Sequence, residues 1–333
     1  MAVDKRNIKR ICLNCFGTLD KSGFCRGCRT RIGDNEGSLL VLPRRTLLKG
    51  RYLVSKPLGI GGFGITYLAW DMQTSARVAV KEFFPKGYTT RSRKGCGVLV
   101  VQESYSGAFN HWLTAFVNEA KILTSINHLH GVVKLLDFFE GNGTAYIVMD
   151  FLEGVSLRQY LNARGGRIVL QEALNIMRPV LDSLFLLHQY GIIHKDISPE
   201  NIIVVQNKFV KLIDFGAASI FTQNVVKPYI VLKAGYSPIE LYDPDARQGP
   251  WSDVYQAGAT LYNCITGAIP AEATARTPVD TLVRPSAFGV QIPPVVENCI
   301  LRSMAVDPAA RYDNMGKYIQ TLYGEFLPRI PER

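Results

Sequence analysis

The pattern of apolar and polar positions predicts strands in the first half of the chain. Residues 58–69 are predicted to form a strand, a glycine-rich turn and a second strand, and residues 77–81 a third strand. Residues 132–139 and 144–149 predict two more strands around the turn Gly141-Asn142-Gly143. We therefore expect this part of the chain to be rich in β-structure.

Helical spacing of apolar residues appears later in the chain. It predicts three helices: residues 116–123, 156–161 and 170–190. Residues 254–271 form the longest uncharged run, but they include Gln256, Asn263 and Pro270. We interpret this run as a buried core helix and not as a membrane span.

Other segments are short strands or have no clear period. Residues 202–213 predict two short apolar strands around Asn207-Lys208. The segments predicted to be irregular are a linker at 34–51, an insertion at 86–110 and a segment at 217–235.

Composition predicts a folded, soluble protein. The chain has 333 residues, 47% of them hydrophobic, which suffices for two domains or one large two-lobed domain and argues against general disorder. The first eleven residues are too polar for a secretory signal. With no predicted membrane span, we expect a cytoplasmic location.

The positive charge is concentrated at the beginning of the chain. The formal net charge is +10, and residues 1–51 hold 12 Lys and Arg against 4 Asp and Glu. This basic head could bind an acidic partner or nucleic acid, although few aromatic residues are present for base stacking. The alternative is a solvated charged face without a partner.

Four cysteines form two closely spaced pairs near the N-terminus. Cys12 and Cys15, like Cys25 and Cys28, are separated by two residues. Four thiolates can surround one tetrahedral Zn²⁺, and the spacing resembles a small zinc ribbon. Disulfides are the alternative, but they require an oxidising compartment. The remaining cysteines are predicted to be small buried hydrophobic residues: Cys96, Cys264 and Cys299.

Residues suited to phosphoryl transfer lie in the stretch 194–201 and in the triplet Asp214-Phe215-Gly216. Asp196 can accept a proton from an attacking hydroxyl. Asn201 and Asp214 offer the hard oxygen ligands that Mg²⁺ prefers. A base beside two metal ligands is what in-line phosphoryl transfer requires.

In order and spacing, these residues resemble the catalytic loop and the metal-binding triplet of the protein kinase family. The glycines Gly59, Gly61 and Gly64 also fit a dinucleotide-binding fold, but the strand that follows them favours a hairpin lid over phosphates. The resemblance implies this ATP-binding set: Leu58, Gly59, Ile60, Gly61, Gly62, Phe63, Gly64, Thr66, Ala79, Lys81, Met149, Asp150, Leu152 and Ile203.

The resemblance assigns a charged pair to the first half of the chain. Lys81 resembles the strand lysine that holds the α- and β-phosphates, and Glu119 resembles the helix glutamate that pairs with it. The alternatives are a solvated Glu119, with Glu82 or Glu103 as the partner of Lys81. Within a strand, Glu82 should point to the opposite face from Lys81.

The resemblance covers about residues 52–327 and implies an α+β fold, the two-lobed protein kinase fold. The amino-acid sequence of these motifs is most similar to that of bacterial members of the eukaryotic-like, or Hanks-type, Ser/Thr protein kinases. The implied organisation is a zinc ribbon at 1–33, a linker at 34–51, a β-rich small lobe at 52–152, a helical large lobe at 153–327 and a tail at 328–333.

Three late positions also match the family. Glu240 resembles the glutamate that closes the activation segment, and Arg311 resembles the arginine that pairs with it. Asp253 resembles the buried aspartate that braces the catalytic loop. An Arg–carboxylate bridge of this kind can be bidentate.

Three positions depart from the family pattern. Lys195 replaces the usual arginine before Asp196, which puts regulation by loop phosphorylation in doubt. Ser198 replaces the usual catalytic-loop lysine, and Lys233 stands where the family usually has threonine. We interpret the last two as an exchange in which the cation reaches the phosphate from Lys233. The alternative is that Lys233 is a solvated loop lysine.

The resemblance implies an ATP- and Mg²⁺-dependent protein kinase that phosphorylates Ser or Thr in protein substrates. Its catalytic residues would be Asp196, Lys81, Glu119, Lys233 and Ser198. The first alternative is a pseudokinase that acts as a nucleotide-binding scaffold, and the second is a nucleic-acid tether formed by the ribbon. The filled base and metal positions argue against a pseudokinase, whereas Ser198 argues for one.

Overall fold

The computed structural model describes residues 8–31, 40–92, 95–205, 209–220 and 232–324. The chain forms two compact units. The first comprises Met1–Ala120 with Lys134–Phe151, and the second comprises Lys121–Val133 with Leu152–Arg333. Several predicted features lie outside the described residues. The turn at Asn207-Lys208 and the tail at 328–333 lie wholly outside them, and the ribbon at 1–33, the linker at 34–51, the insertion at 86–110 and the segment 217–235 lie partly outside.

An antiparallel sheet of six strands, ordered β1-β2-β3-β4-β8-β7, forms the main part of the first unit. Its strands are β1 (Leu47–Leu48), β2 (Tyr52–Ile60), β3 (Gly64–Asp71), β4 (Ala76–Phe83), β7 (Leu135–Gly141) and β8 (Thr144–Asp150). The five predicted strands are therefore confirmed. Strand β1 adds to them, because the end of the predicted linker pairs with β2.

The insertion predicted to be irregular contains regular structure. Strands β5 (Thr89–Arg91) and β6 (Val98–Val100) pair antiparallel, and a 3₁₀ turn at Glu103–Tyr105 leads into helix α1 (Ser106–Ser125). The prediction was wrong here because strands of three residues are too short to show an alternating pattern. Helix α1 also begins well before residue 116, where the apolar spacing placed it.

The cysteine-containing segment packs against the sheet of the first unit. The ring of Phe16 stacks on the ring of Trp70 in β3, with centroids 5.1 Å apart. The hydroxyl of Ser55 in β2 donates a hydrogen bond to the carbonyl of Leu13. The segment is thus attached to the two strands that flank the glycine-rich turn.

Helices dominate the second unit. They are α2 (Leu157–Asn162), α3 (Leu170–Gln189), α4 (Pro250–Thr266), α5 (Pro294–Ser303) and α6 (Met315–Tyr323). Short 3₁₀ turns occur at Ile239–Leu241, Ala273–Arg276, Pro285–Phe288 and Pro308–Ala310. Within the described ranges, no helix is long and apolar enough to cross a membrane.

Helix α4 is the predicted core helix, and every one of its residues from Ser252 to Thr266 is buried. It ends at Gly267, whose φ of 77° is a left-handed conformation that suits glycine. The helix therefore begins four residues before the uncharged run at 254–271 and ends five residues before the end of that run.

Two small sheets complete the second unit. Strands β9 (Gly154–Ser156), β11 (Ile202–Val205) and β12 (Val210–Leu212) form one in the order β12-β11-β9. Strands β10 (Ile192–Ile193) and β13 (Ser219–Ile220) form the other. The two short strands predicted within residues 202–213 are confirmed as β11 and β12.

Candidate functional site

The glycine-rich turn joins β2 to β3, which pair antiparallel. The amide of Gly61 donates to the carbonyl of Gly64 at 2.9 Å and closes the turn. A side chain at Gly64 would place its Cβ 2.8 Å from the carbonyl oxygen of Glu82, so β4 can approach this closely only at glycine. Leu58 and Ile60, just before the turn, are 45% and 55% exposed and are open to a ligand.

Backbone hydrogen bonds connect the tip of this turn to the residues that follow β4. The amide of Phe84 donates to the carbonyl of Phe63 at 3.0 Å, and the amide of Lys86 donates to the carbonyl of Gly62 at 2.8 Å. The ring of Phe63 meets the ring of Trp112 in α1 edge-on, with centroids 5.2 Å apart. Helix α1 and the glycine-rich turn are therefore packed together by aromatic contact.

Lys81 in β4 forms the predicted ion pair with Glu119 in α1. The Lys81 Nζ lies 2.7 and 3.0 Å from the two carboxylate oxygens of Glu119, and the Glu119 side chain is buried. Thr66 lies opposite Lys81 in the neighbouring strand. Glu82 points to the other face of the sheet, where Arg91 Nη2 binds its carboxylate at 2.6 Å. Glu82 is thus excluded as the partner of Lys81.

The residues implied to contact adenine lie in both units. In the first unit, Ala79 in β4 is paired with Met149 in β8, and Asp150 ends that strand. In the second unit, Leu152 precedes β9 and Ile203 lies in β11. Their role in binding ATP stays a prediction.

Helix α4 holds the backbone of the catalytic-loop sequence in the second unit. The buried carboxylate of Asp253 accepts hydrogen bonds from the amides of His194 at 2.9 Å and Lys195 at 2.8 Å. Gln256, one turn later, accepts from the amide of Ile197 at 3.1 Å and donates to the carbonyl of Lys195 at 2.8 Å. The bracing role implied for Asp253 is confirmed, and Gln256 shares it.

Burial lowers the pKa of two residues of this loop. It lowers the pKa of His194 below its usual value, although the nearby carboxylate of Asp253 opposes the change. It also lowers the pKa of Lys195 to about 8, again against the effect of Asp253. Lys195 has a φ of 64°, a strained conformation for a residue with a side chain.

Pairing of β11 with β12 brings the proposed base and metal ligands together. The amide of Ile213, next to Asp214, donates to the carbonyl of Asn201 at 3.0 Å. The Asn201 Nδ2 donates to the Asp196 carboxylate at 2.7 Å and to its carbonyl at 2.8 Å. Because this amide nitrogen donates to Asp196, the amide oxygen of Asn201 is the atom that can ligate a cation. The carboxylate of Asp214, next to Ile213, offers a second hard oxygen donor of the kind that suits Mg²⁺.

Lys233 and Ser198, the two residues predicted to have exchanged roles, are in contact. The Lys233 Nζ donates to the Ser198 Oγ at 2.7 Å and lies 3.0 Å from the Asp196 Oδ1. Its distance to the Glu200 carboxylate is 4.0 Å. The interpretation of Lys233 as a solvated loop lysine therefore does not fit the structure.

The predicted pair of Glu240 and Arg311 is confirmed as a buried bidentate bridge, with N–O distances of 2.7 and 3.1 Å. Sequence reasoning missed a second arginine, Arg158 in α2. Its Nε donates to Glu200 at 2.8 Å and its Nη2 donates to the hydroxyl of Tyr236 at 2.7 Å. No local motif marks Arg158, because its partners lie 42 and 78 residues away along the chain.

The four paired cysteines converge in the first unit. Their Sγ atoms all lie within 4.8 Å of one another. Cys12 and Cys28 are 3.6 Å apart, and Cys15 and Cys25 are 3.5 Å apart. A tetrahedral site with zinc–sulfur bonds of about 2.3 Å separates its sulfurs by about 3.8 Å, so the cluster fits Zn²⁺.

The protein kinase domain family model matches residues 52–286. The chain belongs to the protein kinase family. It is 28% identical over 276 residues to the serine/threonine-protein kinase PrkC of Bacillus subtilis. It is 31% identical over 303 residues to the serine/threonine-protein kinase PknL of Mycobacterium tuberculosis. A solved structure titled "PpkA-294 apo form" matches with a TM-score of 0.73 and 29% identity, covering 85% of this chain and 99% of that one.

The curated relatives extend beyond the matched region. The Bacillus match covers 80% of this chain but 39% of the relative, and the mycobacterial match covers 86% of this chain and 69% of the relative. The matched region is the kinase domain, so this chain has the fold of a Hanks-type bacterial kinase. A cysteine cluster precedes that domain.

Proposed function

We propose that this chain is an ATP- and Mg²⁺-dependent protein kinase that transfers the γ-phosphate of ATP to serine or threonine hydroxyls of protein substrates. The observation that carries the proposal is the hydrogen bond between Asn201 and the Asp196 carboxylate. Asp214 lies next to them in the fold, because the amide of the preceding residue, Ile213, donates to the carbonyl of Asn201. The Bacillus and mycobacterial relatives are serine/threonine-protein kinases by name, which supports the choice of Ser and Thr as acceptors.

The residues of the second unit would carry the chemical step. Asp196 would accept the proton of the attacking hydroxyl, and Asn201 orients it by donating to its carboxylate. Asn201 and Asp214 would hold Mg²⁺, which neutralises the charge that develops on the transferring phosphoryl group. Catalysis of this kind depends mainly on positioning and electrostatic stabilisation, which suits a loop braced by α4.

The residues of the first unit would bind the nucleotide. The Lys81 ammonium, oriented by the buried Glu119, would contact the α- and β-phosphates. The exposed apolar side chains of Leu58 and Ile60 are suited to contact with the adenine ring. Backbone amides of the glycine-rich turn would lie over the phosphates.

We also propose that the cysteine cluster binds one structural Zn²⁺. Four thiolates complete a tetrahedral shell, so this site would hold the fold of residues 8–31 and would not catalyse a reaction. A cytoplasmic location, an acidic or nucleic-acid partner for the basic head, and the domain boundaries stay predictions from the sequence.

The proposed activity is tested with the purified chain, radiolabelled ATP, Mg²⁺ and a generic protein substrate, followed by phosphoamino-acid analysis. The unaltered protein should label serine or threonine. Asp196→Asn keeps the shape of the base but removes its charge, and it should lower kcat by about 100-fold or more. Asp214→Asn should raise the Mg²⁺ concentration needed for half-maximal activity.

Asp313→Asn is a matched control, because Asp313 is an exposed aspartate whose i,i+4 salt bridge to Lys317 lies on the surface. It should leave the rate unchanged. Equal rates for the parent, Asp196→Asn and Asp214→Asn would contradict the proposed mechanism. Tight ATP binding without any transfer by the unaltered protein would favour the pseudokinase interpretation instead.

A further inference from the structure

The catalytic-loop sequence of this chain contains no lysine after Asp196, yet an ammonium group lies beside that carboxylate. It belongs to Lys233, whose Nζ is 3.0 Å from the Asp196 Oδ1 and 2.7 Å from the Ser198 Oγ. We propose that Lys233 is a catalytic residue whose ammonium contacts the phosphoryl group during its transfer to the substrate. The inference rests on the proposed kinase function and adds the residue that supplies the positive charge.

The backbone of Lys233 is fixed by a hydrogen-bonded turn. Its amide donates to the Ser237 Oγ at 2.8 Å, and its carbonyl accepts from the amides of Tyr236 and Ser237, both at 2.9 Å. The Ser237 side chain is fully buried. The hydroxyl of Tyr236 donates to Asn263 in α4 at 3.0 Å, which anchors the turn to the core helix. The backbone of Lys233 is thus held in place by hydrogen bonds, and its side chain extends from this turn to Asp196.

Ser198 directs the ammonium group of Lys233. Ser198 is fully buried, and its carbonyl accepts a hydrogen bond from the amide of Asn201. Its hydroxyl therefore has a defined position within the catalytic loop, and it accepts one of the ammonium protons. Serine is short enough to leave room for the lysine that reaches it from the other side.

The ammonium group has one donor more than these two contacts use. A lysine carries three N–H donors, and Lys233 donates one hydrogen bond to Ser198 while its ammonium group forms an ion pair with Asp196. The Glu200 carboxylate, at 4.0 Å, is beyond hydrogen-bond distance. The Lys233 side chain is 27% exposed, so the third donor can reach a substrate oxygen.

This placement suits the charge changes of phosphoryl transfer. The transferring group spreads negative charge over its equatorial oxygens, and a pre-positioned cation stabilises that charge without reorganising. A cation 3.0 Å from the base also lies close to the point where the attacking hydroxyl would bind. The same ion pair could instead inhibit the enzyme by occupying the base, and the two roles predict opposite effects when Lys233 is removed.

The test compares steady-state kcat and KM for ATP in the full chain. Lys233→Ala and Lys233→Met should each lower kcat by about 100- to 1,000-fold, as loss of one transition-state contact commonly does, with a much smaller change in KM. Lys233→Met keeps the length and the apolar stem, so it separates the loss of charge from a loss of packing. Lys317→Met changes an exposed lysine on α6 and should match the parent.

Moving the cation provides the decisive variant. Ser198→Lys combined with Lys233→Thr puts the charge on the catalytic loop and a hydroxyl on the opposite side. It should recover at least about tenfold of the rate lost in Lys233→Ala. Ser198→Lys alone places two cations in one site and should be less active than the double variant. A purely structural role for Lys233 predicts no such recovery.

The outcomes separate this inference from the proposed function. Parental or higher turnover by both Lys233→Ala and Lys233→Met, while Asp196→Asn is inactive, would overturn the inference and leave the kinase function intact. Failure of the double variant to exceed Lys233→Ala, although it is folded by circular dichroism, would also overturn the inference. Absence of phosphoryl transfer by the unaltered protein would overturn the proposed function and the inference together.

Discussion

At the scale of single residues, Glu119 is the buried carboxylate that holds the ammonium group of Lys81, at 2.7 Å. Glu119→Gln keeps one acceptor oxygen but removes the charge. Because hydrogen bonds to charged groups contribute about 1.5–3 kcal/mol, we expect kcat/KM for ATP to fall by about tenfold or more. Steady-state kinetics with varied ATP would measure the change.

Glu103→Gln is the control for this prediction. Glu103 is an exposed glutamate in the 3₁₀ turn before α1. The Glu103 variant should behave as the parent does. If the Glu119 variant did so too, the ion pair would have no part in nucleotide binding.

Lys195 predicts a dependence of stability on pH. Burial lowers its pKa to about 8 from a usual value of 10.5, so the folded chain binds fewer protons than the unfolded chain between these values. The contribution of Lys195 to the free energy of unfolding is therefore unfavourable below about pH 8 and becomes less so as the pH rises toward 10.5. Lys195→Met should raise the free energy of unfolding at pH 7 by up to about 3 kcal/mol.

Urea unfolding at pH 7 and at pH 9.5 would test this expectation. The gain from Lys195→Met should be larger at the lower pH. Lys317→Met, at an exposed position, should show no such difference. A gain that is the same at both pH values would mean that the charge of Lys195 is not the cause.

At the scale of elements, the proposed Zn²⁺ would supply much of the core of the cysteine segment. The buried residues of this segment are few, and two of them are the proposed ligands Cys12 and Cys25. We expect one zinc per chain by elemental analysis. Cys12→Ser with Cys15→Ser should lose the metal and lower the melting temperature, because Phe16 would then lose its ordered contact with Trp70.

Cys96→Ser is the matched control, since Cys96 is a cysteine of the same unit outside the cluster. It should retain zinc. The cluster variant should still bind ATP, because the sheet of the first unit has its own core. A zinc-free protein after careful preparation would refute the metal site.

The elements that the sequence did not predict owe their structure to distant partners. Strand β5 is three residues long, and its Arg91 is held by Glu82 in β4 and by the carbonyl of Leu40. The start of α1 contains Gly, Asn and Thr, which favour helix weakly, and Phe109 there packs on Phe83 with ring centroids 5.2 Å apart. In both cases tertiary contacts override a weak local signal.

At the scale of the whole molecule, the order of short motifs was enough to predict the family and the position of the site. Asp196, Asn201 and Asp214 lie in local sequence patterns, and short strands bring them together. Lys233 was identified as the residue seven positions before Glu240, where the family usually has threonine. Gln256 and Arg158 were not found, because they belong to none of the motifs that were matched and their side chains bind partners 42 to 78 residues away along the chain.

Nucleotide binding should be detectable as stabilisation of the whole chain, apart from any transfer. A ligand at about 100 times its Kd stabilises the folded state by about 2.7 kcal/mol, so ATP with Mg²⁺ should raise the melting temperature. Lys81→Met should reduce this shift, and Asp214→Asn should remove the part that depends on Mg²⁺. Asp196→Asn should keep the shift, because the base is not proposed to bind the nucleotide. If Asp196→Asn lost the shift along with the activity, its inactivity would reflect damaged folding or binding, and Asp196 could not be assigned as the base.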